Sequence, residues 1–150
     1  MFEFHGWFNI RESPQWPGEN SRENEIFGGL ERLTGGFQWT VNNSSHHVQS
    51  DQNAVLDIGY MNGSCFIHLR GHKNHRSSYW DDIQTLLEWI CREAPGSFGL
   101  LYWRDDEGDP PAEANNFQVI VMARGELTTR FDPFLSPTIP TIEDEWDGIS

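Results

Sequence analysis

Residues Leu56–Leu69 read LDIGYMNGSCFIHL. At the centre stands Asn62-Gly63, a pair suited to the two-residue type I′ turn, whose two positions both need positive φ. A turn there sets Tyr60 opposite Cys65, Ile58 opposite Ile67 and Leu56 opposite Leu69. All six then share one face, while Asp57 and His68 meet on the other. A slip of one residue would turn the whole apolar set to solvent, so turn chemistry and hydrophobic pattern select the same register. The six are predicted to face the interior.

Elements on either side extend this hairpin into a sheet with helical cover. In Phe2–Ile10, Phe2, Phe4, Phe8 and Ile10 alternate with Glu3, His5, Trp7 and Asn9, the period of a strand. The stretch RESPQWPGEN, residues 11–20, reads as a loop. Ser21 is placed to cap a short helix carrying Ile26, Phe27, Leu30 and Leu33 and stopped by Gly35-Gly36. Phe37, Trp39 and Val41 suggest a second strand, and the polar residues 42–53 a loop. Ser78–Ala94 has Ser78 as N-cap, Asp81 and Asp82 at the positive end of the dipole, and Trp80, Ile83, Leu87, Ile90 and Ala94 as a helical stripe. Pro95-Gly96 ends it. Strands near Phe98–Arg104 and Phe117–Arg124 follow, the latter apolar on both faces and so expected to be central or covered by helix. The prediction is one α+β domain over residues 1–150, a mainly antiparallel sheet with two helices packed on it and an acidic segment at 143–150.

Composition narrows the function. The 150 residues hold seven Trp and ten Phe and carry a formal charge of −13. Such a field repels nucleic acid and anionic membranes and attracts basic partners. Residues 1–75 hold eight acids against five basic residues, and residues 76–150 fifteen against five. Nine of the ten basic residues are arginines, which suit bidentate internal ion pairs. Cys65 and Cys91 make no disulfide framework. With no secretory leader or apolar run of membrane-spanning length, a soluble cytoplasmic protein is expected.

Cys65, His68, His72 and His75 lie close enough in sequence to raise a zinc site. Strand alternation sends Cys65 and His68 to opposite faces, so no metal ligand is assigned. His68 opposite Asp57 has the composition of a base and its orienting group, though such cross-strand pairs more commonly serve structure. Nucleophile elbows, phosphate loops and H-E-x-x-H are absent. The acidic stretch after Trp103 lacks the ligand spacing of a calcium loop. No catalytic residue is assigned and no cofactor is expected. What remains is acidity with embedded aromatics: Tyr102 and Trp103 before Asp105, Asp106, Glu107 and Asp109, and Trp146 among Glu143, Asp144, Glu145 and Asp147. Carboxylates steer association while aromatics anchor it, so these eleven residues are the candidate partner-binding set. DPFLSPTIP, residues 132–140, is expected to pin the last segment to the domain through Phe134, Leu135 and Ile139.

EFHGWFNIRES (Glu3–Ser13), LYWRDDE (Leu101–Glu107) and DPFLSPTIPTIED (Asp132–Asp144) together resemble the immunity protein 7 family of bacterial polymorphic-toxin and contact-dependent growth inhibition systems. Their order and spacing extend the resemblance over nearly the whole chain. It implies a small cytoplasmic α+β protein, not an enzyme, that binds and neutralises a cognate toxin. Many such toxins are nucleases, whose basic surfaces hold phosphates and would accept carboxylates in their place. Two readings from other classes stand beside it: a small hydrolase using His68 with Asp57 or one of the acidic clusters, and an acidic interaction adaptor. Monomer and dimer are both compatible with the sequence.

Overall fold

The computed structural model describes residues 1–13, 22–43, 47–48, 51–76, 78–107 and 116–132. They form strand β1 (Phe2–Ile10), helix α1 (Glu23–Gly35), and strands β2 (Trp39–Asn42), β3 (His47–Val48), β4 (Asp51–Met61) and β5 (Ser64–Lys73). Helix α2 (Ser78–Glu93) and strands β6 (Phe98–Asp105), β7 (Gln118–Ala123) and β8 (Glu126–Phe131) complete them. The strands make one sheet in the order β3-β2-β4-β5-β1-β6-β7-β8. All neighbours run antiparallel except β2 and β4. The architecture is the expected α+β one, with both helices packed on the same face. No helix among the described residues is long and apolar enough to cross a membrane.

The hairpin forms in the predicted register, with Leu56 opposite Leu69, Ile58 opposite Ile67 and Tyr60 opposite Cys65. Its turn has φ of 51° at Asn62 and 77° at Gly63. Leu56, Ile58, Cys65, Ile67 and Leu69 are buried, but Tyr60 is 52% exposed. Tyr60 lies near the hairpin tip, where the core thins and the ring of Phe27 meets it edge-on at 5.1 Å.

β1 lies between β5 and β6, and its aromatic rings are seated on glycines of those neighbours. Phe4 is opposite Gly71, and Phe8 is opposite Gly99. A Cβ at Gly71 would come within 2.4 Å of the Phe4 ring, and one at Gly99 within 2.5 Å of the Phe8 ring. Both phenylalanines are fully buried, in a cluster with Leu30 of α1, Ile83, Leu87 and Ile90 of α2, and Leu101. Trp39 joins β2 to α2. Its ring lies 5.4 Å from Tyr79 and 5.5 Å from Phe4, and its Nε1–H donates to Asp82 Oδ2 at 3.0 Å. Burial raises the Asp82 carboxyl above its usual range, against the lowering effect of that hydrogen bond.

Several boundaries differ from those predicted. The stripe of α2 is centred on Tyr79, Ile83, Leu86, Leu87 and Ile90, so Tyr79 and Leu86 enter the core while Trp80 is only half-buried. Ser78 is the first helical residue of α2, not a residue preceding it. Ser21 lies outside the described residues. Arg22 occupies the α1 cap position without a capping side-chain bond, and its N–H donates to Glu12 Oε2 at 2.9 Å. The polar stretch read as a loop contains β3 and the start of β4, because a backbone ladder needs no apolar side chain to form. β7 ends at Ala123, and β8 follows through Arg124-Gly125, whose φ values are 54° and 75°.

Two expectations test this packing. Ile67→Asp buries an unpaired carboxylate and is expected to cost about 4 kcal/mol or more, whereas His68→Ala on the opposite face should stay within about 1 kcal/mol. Denaturant unfolding of both variants checks the face assignment. Burial also pushes the Cys65 thiol from 9.0 up to about 12. The unfolded chain therefore gains the thiolate first, and the associated stability, intact below pH 9.0, is lost as pH climbs towards about 12. Cys65→Ala should flatten the fall of Tm across that alkaline window.

Candidate functional site

Strand alternation separates the two aromatics that precede the acidic turn. Trp103 faces the helices and is 8% exposed, its ring 4.7 Å from Trp80 and 6.3 Å from Phe2. Tyr102 points to the opposite face, half-buried between His5 of β1 and Val119 of β7. The sheet thus divides them between core and open surface.

Each described carboxylate of the turn meets a basic group. Asp105 is opposite Phe2 in the ladder and buried, with Oδ2 3.1 Å from Arg76 Nε. Its other oxygen accepts the Glu107 backbone N–H at 3.0 Å. The Asp106 carboxylate pairs with the N-terminal ammonium, and its backbone N–H donates to the Met1 carbonyl at 3.0 Å. Glu107 meets His75 Nδ1 at 2.8 Å. The Arg76 guanidinium also stands 5.6 Å from the Trp103 ring and 5.9 Å from Trp80, within cation–π range. Asp105 fastens the turn from inside, whereas the Asp106 and Glu107 side chains keep 41% and 56% exposure. Asp109, Glu143, Asp144, Glu145, Trp146 and Asp147 lie outside the described residues, as do Phe134, Leu135 and Ile139.

The sheet face turned away from the helices carries aromatics that the sequence reading did not place at a surface. Trp7 and Phe98 are 37% and 42% exposed and meet edge to face at 6.2 Å. The Arg11 guanidinium lies 6.0 Å from the Phe98 ring. Phe66 stacks on His68 at 6.2 Å, and Arg104 joins Glu3 at 2.7 Å. The available signal was Trp7 itself, a large ring in the polar register of β1.

His68 and Asp57 lie on the same face. His68 is opposite Asp57 as predicted, but the Asp57 oxygens accept from Asn42 Nδ2 at 2.7 Å and Arg70 Nη1 at 3.2 Å. Asn42, Asp57 and His68 border a cleft of ≈ 330 Å³ with Tyr60 and Phe66. Cys65 is buried on the other face. No cluster of His, Cys, Asp and Glu suited to a metal ion occurs among the described residues.

Arg76→Ala is expected to cost about 1–2 kcal/mol, because Asp105 would remain buried without its counter-ion, while Arg76 itself is 42% exposed and partly screened. Asp105→Asn in that background should recover part of the loss. Urea unfolding of the four members of this cycle measures the coupling.

No curated protein and no solved structure matches the chain. The family model described as Immunity protein 7 matches residues 1–144. That span takes in the hairpin, the acidic turn of β6 and the first two residues, Glu143 and Asp144, of the acidic segment, so the chain belongs to the immunity protein 7 family.

Proposed function

We propose that this protein acts in the cytoplasm as a stoichiometric inhibitor, covering the active or substrate-binding surface of a cognate toxin. Membership of the immunity protein 7 family carries the reading, since immunity proteins bind cognate toxins. The charge of −13 favours a toxin with a basic surface, which is the property of a nuclease that holds phosphates. Carboxylates of the inhibitor would occupy phosphate positions and steer the encounter.

Within the acidic turn, Tyr102, Asp106 and Glu107 are the proposed contact residues. Trp103 and Asp105 act one layer deeper, holding the turn against α2 and Arg76. Asp109 and the group Glu143, Asp144, Glu145, Trp146 and Asp147 are proposed to extend the acidic surface, with the Trp146 indole as an anchor. An interface of standard size buries about 1,600 Å² in total, more than one turn supplies, so several segments must contribute.

Stopped-flow association with the toxin gene product encoded beside this protein tests the mechanism. The rate is expected to fall on the order of tenfold between low and physiological salt, as screening weakens steering. A chain ending at Ile142, with an unchanged circular dichroism spectrum, should bind more weakly. A salt-sensitive loss assigns its contribution to the carboxylates, and a salt-insensitive loss reproduced by Trp146→Ala assigns it to the indole. A salt-independent rate together with full affinity of the shortened chain would overturn the charge-led reading.

A further inference from the structure

We infer that β8 is the interface of a homodimer, in which two copies pair antiparallel about Thr128 and continue the sheet from one subunit into the next. The inference stands apart from toxin binding and rests on the geometry of one strand.

Among the described residues β8 is the last strand of the sheet, and all six of its residues are exposed. Its register against β7 runs without a shift. Sheet edges are normally guarded by brevity, proline, a bulge or an inward-pointing charge. The opposite edge is guarded by brevity, since β3 has two residues. β8 has none of these devices: its helix-side residues are Leu127, Thr129 and Phe131, and Leu127 and Phe131 are 38% and 45% exposed.

The hydrogen-bond polarity of the strand fixes how a partner can add. Arg124-Gly125 is a two-residue turn closed by Ala123 and Glu126, which makes that closing pair a hydrogen-bonded one. Pairs alternate along an antiparallel ladder, so Glu126, Thr128 and Arg130 direct their backbone groups to β7. The Asp132 N–H bond to the Phe117 carbonyl, at 3.1 Å, continues the same phase. Leu127, Thr129 and Phe131 consequently present their N–H and C=O groups to the free edge.

A second β8 added about a two-fold axis must place these outward residues opposite one another. Two arrangements compete. Centring on Thr129 would set Glu126 opposite Asp132 of the other copy, twice, and like charges directly opposite repel. Centring on Thr128 sets Leu127 opposite Thr129 in hydrogen-bonded pairs and Glu126 opposite Arg130 in non-hydrogen-bonded pairs. Those are the positions where facing Cα atoms approach to about 4.5 Å and side chains lie closest. The strand is therefore complementary to itself in charge as well as in backbone polarity. Each copy carries −13, but repulsion between charges farther apart than the Debye length of about 8 Å is largely screened at physiological salt. The opposed pairs lie well inside that distance. An edge of six residues buries less than a standard interface, so a weak, micromolar dimer is expected.

Sedimentation velocity over a micromolar to submillimolar series tests this with full-length protein. Glu126→Arg and Arg130→Glu each replace two attractive pairs with two repulsive ones and should weaken self-association at least about tenfold. Both sites are exposed, so thermal melts should be unchanged. The double swap E126R/R130E should restore the dimer. The decisive sample mixes the two single variants: their strands are complementary to each other, and a heterodimer should appear where neither variant pairs with itself. A wild-type chain that stays monomeric throughout overturns the inference. So does a dimer indifferent to the single reversals, which would use another surface. If the reversals instead weaken toxin binding by a monomeric wild-type chain, the edge serves the toxin and the dimer is again excluded.

Discussion

The structure depends on β1 lying between β5 and β6. Its partners come from residues 65–73 and 98–105, so the centre of the sheet closes only after most of the chain has been gathered. Alternation of Phe2, Phe4, Phe8 and Ile10 decides which face of β1 is buried but does not decide its register. A slide of two residues keeps every side chain on its face. The glycines remove that freedom: a two-residue slide would set Phe4 opposite Leu69 or Lys73 instead of Gly71, where the aromatic ring has room. Close packing penalises that overlap more than the lost hydrogen bonds at the strand ends would.

What was legible in the sequence was what local chemistry dictates. Asn62-Gly63 specified a turn, and the turn specified three facing pairs, because sequence separation there is small and both signals agree. β1 and α2 were visible through their periods. β8 was not, because its alternation is weak, with Thr129 between Leu127 and Phe131 on one face and Thr128 between the charges on the other, and its Arg124-Gly125 turn lacks the usual Asn or Asp. The placement of Trp80 failed more narrowly. A helical stripe read from sequence has a centre uncertain by part of a turn, and Tyr79 was taken into the core by contact with Trp39, a residue of a distant strand.

The acidic turn shows why the candidate site was only half readable. In sequence, Asp105, Asp106 and Glu107 form a run whose one adjacent base is Arg104, and in the fold Arg104 pairs with Glu3 instead. In the fold, antiparallel pairing of β1 with β6 brings the N-terminal ammonium to Asp106, and the segment before α2 brings His75 and Arg76 to Glu107 and Asp105. None of these approaches has a local signature. The preference for arginine did foreshadow the internal pairs, which recur at Arg104 with Glu3 and at Arg70 with Asp57. Of these, the Arg104–Glu3 pair is the least screened, with side chains 15% and 18% exposed.

These pairings alter what negative charge means in this protein. A carboxylate paired with a cation, as Asp105 is with Arg76, adds little to the long-range field, which the excess of 23 acids over ten basic residues still sets, yet it fixes the shape of the surface that carries it. Binding is weakened by disorder as well as by poor charge matching, because every side chain immobilised on binding costs conformational entropy. A turn fastened by Asp105 and Arg76 at one end of β6, and aromatic rings held edge to face at Trp7 and Phe98 near the other, have met part of that cost during folding. The helix-covered face supplies stability for this arrangement, and on the other face exposed positions such as Trp7, His68 and Phe98 can change side chain with little effect on the core, unlike the buried Asn9, Thr40 and Val119.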